Sequence, residues 1–312
     1  MGNKFLGIEI GGTKFQAIVT DDQLNILARF VDTVGEEKSA HILQNKIENC
    51  IEKLSQEYQI KAIGIGFGGP VDINSGTINT SYQVSGWNNF NIVKWLTNRF
   101  NVPVIVDNDA NTAALAEARV GCGEKFKRVF YITLGSGVGG GFVIEGNIYH
   151  GKSTCESEFG HICINKNGDT IESSCSGWAL NKKLENYIQN EPNGILAELV
   201  KTKNTDPSKC LLQAIKQGDL HAKSIFEKLT ENLAFGLSHI LHILNPEAII
   251  VGGGLSLIGE YVTNSISEKL PKYLMSALKN NLPEIEIAHL KEDVVPIGAT
   301  LLAGAKPVVK NM

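Results

Sequence analysis

Lys4-Phe5-Leu6-Gly7-Ile8-Glu9-Ile10-Gly11-Gly12-Thr13-Lys14 gives the first indication of the fold of this 312-residue chain. Residues 4–10 are mostly apolar and predict a strand, and the glycine pair that follows predicts a turn. Further segments at 15–20 and 25–31 predict a second and a third strand. The chain therefore begins with three strands joined by short turns.

The same succession returns in the middle of the chain. A strand is predicted at 128–134, a turn at Gly135-Ser136-Gly137, a second strand at 141–144 and a third at 148–149. The two segments share this pattern but few identical residues, which indicates an internal duplication with two glycine turns on facing lobes. Buried strands are also predicted at 62–67, 104–106 and 248–251, an edge strand at 284–289, and helices at 40–58, 91–100, 107–120, 177–189, 220–244 and 257–270. This alternation predicts an α/β fold in which helices cover the sheets.

Composition and charge exclude several classes of protein. The net charge is −4, from 33 acidic and 29 basic residues, which argues against a nucleic-acid binder that works by bulk charge. No apolar run approaches the roughly 20 residues of a membrane span, and the start lacks the long apolar stretch of a signal peptide. The six cysteines form no Cys-x-x-Cys pair. We therefore expect a cytoplasmic protein with reduced thiols and no nucleic-acid or membrane partner.

Three glycine-rich turns each follow an apolar strand, at 11–12, 135–137 and 252–254. Glycine lets backbone N–H groups approach anionic oxygens closely. Any one turn alone is an ordinary strand end, but the three together favour a polyphosphate site. The spacing Gly135-x-Gly137-x-x-Gly140 matches the dinucleotide fingerprint, yet residues 141–144 continue as a strand where that motif opens a helix. The glycines at 252–254 do open a predicted helix, but no strand ending in an acidic residue follows about 20 positions later, so a dehydrogenase is not favoured.

The run Asp107-Asn108-Asp109-Ala110-Asn111 joins a buried strand to a helix, the usual place for ligand chemistry in α/β folds. Helix capping is the alternative explanation, but capping needs one such residue and this run has four. We assign Asp107 to capping or structure and Asp109 to chemistry, because a carboxylate beside a sugar hydroxyl can take its proton. Asn108 could hold neighbouring hydroxyls through its amide.

Several motifs together resemble the ROK family (repressor, open reading frame, kinase). They are the opening stretch at 7–14, Asn108-Asp109-Ala110-Asn111 with the alanines that follow, Leu134-Gly135-Ser136-Gly137-Val138-Gly139-Gly140-Gly141, and Glu158-x-Gly160-His161. The resemblance implies an α/β, two-lobed actin-like ATPase fold, a duplicated ribonuclease H-like fold with an interlobe cleft. We expect residues 1–118 with a C-terminal helix at 297–312 to form one lobe, and residues 119–296 to form the larger one.

The resemblance also implies roles for individual residues. Asp109 matches the catalytic base, and Glu9 falls near the Mg²⁺ ion. The positions that match sugar-binding residues are Gly69, Asn108, Glu158, His161 and Glu172. The positions that match nucleotide-binding residues are Gly11, Gly12, Thr13, Lys14, Gly135, Ser136, Gly137, Gly252, Gly253 and Gly254. ATP is the implied co-substrate. A homodimer is expected because members of the family commonly form dimers.

The sequence departs from the family pattern in two places. Where many members have a sugar-contacting Asn, this chain has Tyr82 or Gln83. Many members have a cysteine-rich loop that binds zinc. In this chain the corresponding segment, residues 165–172, is too short to form that loop and contains no cysteine. Cys155, Cys163 and Cys175 match no structural zinc spacing with His161, and on a strand beside His161 the Cys163 side chain would point the other way. We expect no zinc.

The leading hypothesis is an ATP-dependent, glucokinase-like hexose kinase with Asp109 as base. Alternatives within the enzyme class are an N-acetylmannosamine kinase, a fructokinase and a polyphosphate-dependent glucokinase. A sugar-sensing transcriptional repressor is the alternative from another class. Such repressors carry an N-terminal helix-turn-helix domain, for which the residues before Gly11 leave no room, so we do not favour it.

Overall fold

The structure, a computed structural model, describes residues 2–81, 83–152 and 155–306. The strands are β1 (Lys4–Ile10), β2 (Lys14–Asp21), β3 (Ile26–Thr33), β4 (Ile60–Phe67), β5 (Val71–Asp72), β6 (Thr77–Ile78), β7 (Phe90–Asn91), β8 (Val104–Asn108), β9 (Arg128–Leu134), β10 (Val138–Ile144), β11 (Asn147–Ile148), β12 (Ala248–Gly252) and β13 (Glu284–Ile287). The α-helices are α1 (Ala40–Glu57), α2 (Ile92–Phe100), α3 (Asp109–Val120), α4 (Ile171–Cys175), α5 (Gly177–Asn190), α6 (Ile195–Lys203), α7 (Pro207–Lys216), α8 (Leu220–Ile243), α9 (Glu260–Lys269), α10 (Ser276–Lys279) and α11 (Val294–Leu302). Short 3₁₀ helices lie at Phe159–His161, Gly254–Ile258, Leu270–Tyr273 and Lys291–Asp293.

Two sheets repeat one strand order. The first runs β3-β2-β1-β4-β8 and the second runs β11-β10-β9-β12-β13. In the first, β1 pairs antiparallel with β2 and parallel with β4, and β4 is parallel to β8. In the second, β12 is parallel to both β9 and β13. The recurrence of an opening three-strand segment followed by two later strands agrees with the duplication predicted from the glycine turns.

Alternation along β1 and β4 gives the first sheet two different faces. Large apolar side chains such as Leu6, Ile8 and Ile63 enter a core shared with α1 and α2. On the other face stand glycines, which bring the backbone of α11 close to the sheet. A Cβ atom added to Gly64 would lie only 1.8 Å from the carbonyl oxygen of Ala299. Glycine at position 64 is therefore a packing requirement.

We expect Gly64→Ala to lower the free energy of unfolding by about 3 kcal/mol, because the added methyl group overlaps backbone that cannot swing aside. Urea unfolding followed by circular dichroism measures the change. Gly254→Ala is the matched control, since a Cβ there would meet nothing within 4 Å. Equal stability of the two variants would contradict the packing argument.

The chain forms two compact units. Unit 1 takes in the described residues of 1–124, 141–156 and 290–312, and unit 2 takes in 125–140 and those of 157–289. The predicted lobe boundaries at 118/119 and 296/297 stay a prediction. The predicted C-terminal helix at 297–312 differs from the structure, because α11 begins at Val294 and ends at Leu302. Residues 307–312 lie outside the described residues.

Most predicted elements are present, and the differences have local causes. The helix predicted at 257–270 is wrong in its first part, because Gly254–Ile258 is a 3₁₀ helix and α9 begins only at Glu260. Gly259, with φ of +76°, separates the two. The helices α4, α6, α7 and α10 were not predicted. In the part of the chain that the structure describes, no helix has both the length and the apolar character needed to cross a membrane.

Candidate active site

In unit 1, Asp109 lies beside the first glycine turn. Because β1, β4 and β8 are parallel, their carboxyl ends meet at one edge of the sheet. Gly68 follows β4 there, and its N–H donates to the Ile10 carbonyl at 2.8 Å. A Cβ on Gly68 would lie 3.4 Å from Asp109 Oδ2 and 3.6 Å from Gly11 Cα. The predicted base and the predicted phosphate turn therefore share one corner, and Gly68, which sequence reasoning missed, leaves space between them.

The neighbours of Asp109 on the chain hold the start of α3. Asn108 is the N-cap, with Oδ1 accepting from the N–H groups of Ala110 at 2.8 Å and Asn111 at 3.3 Å. Its Nδ2 donates to the Gly69 carbonyl at 3.2 Å, which joins two predicted sugar-binding residues. Asp107 is buried and does not cap the helix, since its Oδ1 accepts from the Asn108 N–H at 2.7 Å. Capping therefore belongs to Asn108, and α3 begins at 109 instead of the predicted 107.

The first glycine turn connects β1 to β2 tightly. Gly11 N–H donates to the Lys14 carbonyl at 3.0 Å, and the Thr13 carbonyl accepts from the Val34 N–H at 3.0 Å. A Cβ on Gly12 would lie 1.5 Å from Gln83 Oε1, so the Gln83 side chain packs against this glycine. Gln83 thus lies at the first glycine turn, although the resemblance assigned its region to the sugar. Tyr82, the other residue considered there, lies outside the described residues.

Glu9 is a second carboxylate near the first glycine turn. Its Oε2 accepts a hydrogen bond from Gln16 Nε2 and lies 3.6 Å from Lys14 Nζ. Burial raises the pKa of Glu9, and the Lys14 ammonium opposes part of that rise. The same Gln16 amide donates to the Glu292 carbonyl at 2.8 Å, which fixes its orientation. A carboxylate and an ammonium group therefore stand together beside the turn.

The second glycine turn lies in unit 2 and is braced by Glu172. Gly135 N–H donates to the Gly137 carbonyl at 3.0 Å, and the Gly135 carbonyl accepts from Gly177 N–H at 2.8 Å. Glu172 Oε2 accepts from the Val138 N–H at 2.8 Å, and a Cβ on Gly137 would lie 2.5 Å from that oxygen. Glu172 was predicted to bind sugar, and one of its oxygens supports the turn. Ser136, at the tip, is exposed.

The third glycine turn packs against the second. Gly253 has φ of +79°, and a Cβ there would lie 2.6 Å from the backbone nitrogen and carbonyl carbon of Leu134. A Cβ on Gly252 would lie 2.0 Å from the Tyr131 hydroxyl. The Gly253 carbonyl accepts from Ser256 Oγ at 2.7 Å. Two turns that lie far apart in the sequence therefore form one surface.

A cavity of about 570 Å³ opens beside these two turns. Its walls come from the second and third glycine turns, the start of α5, and one face of α7; the lining residues are Leu134, Gly135, Gly177, Ser208, Lys209, Leu212, Gln213, Lys216, Gly254, Leu255, Leu257 and Ile258. Sequence reasoning missed the α7 wall. The signal was present, because Asp206 followed by Pro207 is a typical helix start and Cys210, Leu211 and Ala214 are buried at helical spacing.

The Glu158–His161 segment and Glu172 both contact Val138, the first residue of β10. Phe159–His161 is a 3₁₀ helix, and a Cβ on Gly160 would lie 2.2 Å from the Val138 carbonyl oxygen. Val138 therefore contacts Glu172 through its N–H and the Glu158–His161 turn through its carbonyl. The three predicted sugar-binding residues of unit 2 are brought near one another and near the second glycine turn.

The cysteines near His161 are placed differently from expectation. Cys163 is exposed and forms an isolated bridge with Thr170, so the prediction of one strand carrying both His161 and Cys163 is wrong. Cys175 is buried in α4, and burial raises the pKa of its thiol to about 12. A thiol of this kind resists forming the thiolate that zinc requires. The expectation of no zinc stays a prediction.

Comparisons with known proteins identify the family of this chain. The ROK family matches residues 5–306 of the chain. A glucokinase of Thermotoga maritima is 28% identical over 95% of this chain and 96% of its own length. A xylose repressor of Caldicellulosiruptor bescii is 29% identical over 85% of this chain and 68% of its own length. The family therefore contains both kinases and regulators.

Solved structures of ROK kinases have the same fold as this chain. A ROK glucokinase from Streptomyces griseus, crystallised with glucose and AMPPNP, superposes with a TM-score of 0.83 at 29% identity, over 96% of this chain and 99% of its own. The predicted fold class, an α/β fold of the actin-like ATPase type, is confirmed by this match. Whether the two units enclose a cleft stays a prediction. With a family match across nearly the whole chain and glucokinases among its full-length relatives, this chain belongs to the ROK family and is a glucokinase-like sugar kinase.

Proposed function

We propose that the chain transfers the γ-phosphoryl group of ATP to a hydroxyl of a hexose, with Asp109 as the general base. The observation that carries the proposal is the corner formed by Gly11, Gly68 and Asp109, where a carboxylate stands 3.4 Å from the Cβ position of a glycine beside a phosphate turn. A hydroxyl placed over Gly68 would meet the carboxylate on one side and the phosphate on the other. Near-attack geometry of this kind is a large part of phosphoryl-transfer catalysis.

The proposed reaction needs one proton acceptor and several positive groups. Asp109 accepts the proton of the sugar hydroxyl while that oxygen bonds to the γ-phosphorus, and the bond from this phosphorus to the ADP oxygen breaks. Lys14 and the backbone N–H groups of the glycine turns offset the phosphate charge. Mg²⁺ would add further charge neutralisation. Glu9 fits it, since Mg²⁺ in such sites uses one or two carboxylates together with the substrate phosphates.

ATP is the proposed donor in preference to polyphosphate. The cavity beside Gly135 and Gly254 is about 570 Å³ and has leucine and isoleucine walls, which suits a nucleoside and which a polyphosphate chain would not need. The glucokinase from Streptomyces griseus was crystallised with the ATP analogue AMPPNP. The nucleotide-binding roles of all three glycine turns belong to this proposal.

Leu212→Asp tests the position of the nucleoside. The new carboxylate would stand in the apolar wall of the cavity, so we expect the KM for ATP to rise at least ~10-fold with little change in the KM for the sugar. Steady-state kinetics with ATP and glucose varied in turn measure both constants. Leu220→Asp is the control, because Leu220 is a leucine of the same unit with 79% of its surface exposed. An unchanged KM for ATP in Leu212→Asp would place the nucleoside elsewhere.

Glucose is the first candidate acceptor, because the full-length relative from Thermotoga maritima is a glucokinase. Gly69, Asn108, Glu158, His161 and Glu172 are the proposed sugar-binding residues. N-acetylmannosamine, fructose and mannose are the competing acceptors. A coupled assay with these sugars against ATP and polyphosphate decides among them, and highest kcat/KM with glucose and ATP is the expected result. We also propose a homodimer, which light scattering on the purified protein would test.

A further inference from the structure

Unit 1 contains a closed ring of hydrogen bonds formed by Asp107, Asn111, His150 and Glu156. Asp107 lies two residues before Asp109 in the chain. His150 Nε2 lies 3.3 Å from Asp107 Oδ2, and His150 Nδ1 lies 3.0 Å from Glu156 Oε1. Asn111 Nδ2 closes the ring by donating to Asp107 Oδ1 at 3.1 Å and to Glu156 Oε1 at 2.9 Å. The side chains of Asp107 and Glu156 are only 5% and 9% exposed, so both carboxylates are withdrawn from water.

The geometry requires a charged imidazole. Both nitrogens of His150 face carboxylate oxygens, which only accept hydrogen bonds, so both nitrogens must carry a proton. The charged groups that face His150 among the described residues are Asp107 from β8 and Glu156 from the segment after β11; α3 presents the uncharged Asn111 amide. Hydrogen bonds to Asp107 and Glu156 raise the pKa of His150 to about 10. Without this cation, two buried carboxylates would lie close together with no positive charge between them.

The ring is connected to the candidate site through the backbone. Asp107 Oδ1 also accepts from the Asn108 N–H at 2.7 Å, and Asn108 is both the cap of α3 and the residue before Asp109. On the other side, Glu156 precedes Glu158 by two residues. A displacement of Asp107 therefore moves the peptide from which Asp109 projects. Shifts of about 1 Å at such positions can lower turnover ~100-fold.

We propose that His150 is a positioning residue for phosphoryl transfer, joining Asp107 to Glu156 so that the strand end before Asp109 keeps its working position. This proposal rests on the proposed role of Asp109 as the base. It concerns a side chain that contacts neither the glycine turns nor, in the proposed reaction, the substrates. Loss of His150 should therefore lower kcat, because His150 sets the geometry of phosphoryl transfer and does not affect how strongly the substrates bind.

Four variants test the proposal: H150Q, H150R, E156Q and the double variant H150Q/E156Q. We expect H150Q to lower kcat about 10-fold with the KM values for glucose and ATP within about twofold of wild type. Arginine carries the charge and enough N–H groups for two carboxylates, so H150R should keep kcat within about threefold of wild type. If the ring acts as a unit, H150Q/E156Q should be no slower than H150Q.

The kinetics are measured at a temperature below the thermal unfolding transition of every variant, and circular dichroism locates that transition. H41Q is the matched control, because His41 is an exposed histidine of the same unit outside the ring. The proposal is overturned if H150Q retains kcat within about twofold of wild type, if its loss appears in KM, or if the losses of H150Q and E156Q multiply. It is also overturned if H150R is as slow as H150Q.

Nitrogen NMR of the histidine rings gives a readout that does not depend on turnover. Because the pKa of His150 is raised from 6.5 to about 10, the ring should carry both protons at pH 8 and lose one only as the pH rises through about 10. A neutral His150 ring at pH 8 would overturn the proposal. Failure of Asp109 as base would instead appear as near wild-type turnover in D109N with the His150 signals unchanged, so the two failures can be told apart.

Discussion

Asp109→Asn is expected to lower kcat at least ~100-fold while the sugar still binds. Asparagine has nearly the same shape and can keep the hydrogen bond that Asp109 Oδ1 accepts from the Ala110 N–H at 2.9 Å. What it cannot do is take the proton of the attacking hydroxyl. The change therefore removes the proposed chemistry and leaves the start of α3 intact.

The measurement combines a coupled kinetic assay with calorimetric titration of the sugar. Asp72→Asn is the control, because Asp72 is an exposed carboxylate of the same unit that accepts hydrogen bonds from its own turn, from Asn74 N–H at 3.0 Å and Ser75 Oγ at 2.8 Å. We expect that control to keep its turnover. If Asp109→Asn also turns over at a near wild-type rate, the base is a different group.

Gly253→Ala is expected to have the second large effect, on the nucleotide side. Gly253 has φ of +79°, and the added Cβ would lie 2.6 Å from the backbone of Leu134. Backbone strain and overlap together should lower the free energy of unfolding by about 4 kcal/mol. Because the third turn must move away from the second, the cavity beside them changes shape, and the KM for ATP should rise at least ~10-fold.

Gly218→Ala separates the effect of backbone strain from the effect of steric overlap. Gly218 lies in the same unit with φ of +92°, but a Cβ there would meet nothing within 4 Å. That variant carries the cost of positive φ alone, about 1 kcal/mol, and should leave the KM for ATP unchanged. Urea unfolding and steady-state kinetics of both variants give the comparison. Equal effects in the two proteins would show that contact between the turns is unimportant.

The order of strands and turns could be predicted from local pattern. The apolar run at 4–10, the glycine pair after it and the return of the same succession from residue 128 depend on neighbours along the chain, and the structure has strands at Lys4–Ile10 and Arg128–Leu134. The position of Asp109 after a buried strand followed from the same logic. What local pattern could not decide was the cap, since Asp107, Asn108 and Asp109 are all suitable residues and only the backbone geometry selects Asn108.

Local pattern predicted the α/β class, the strand-and-turn repeat and Asp109 as the candidate base, because each depends on periodicity or on residues that lie next to one another. Tertiary structure alone decided that Gly68 stands beside Asp109, that α7 forms a wall of the cavity, and that His150 joins Asp107 to Glu156. These contacts join residues far apart along the chain. Which distant residues meet is set by how sheets and helices pack, and no local spacing encodes it.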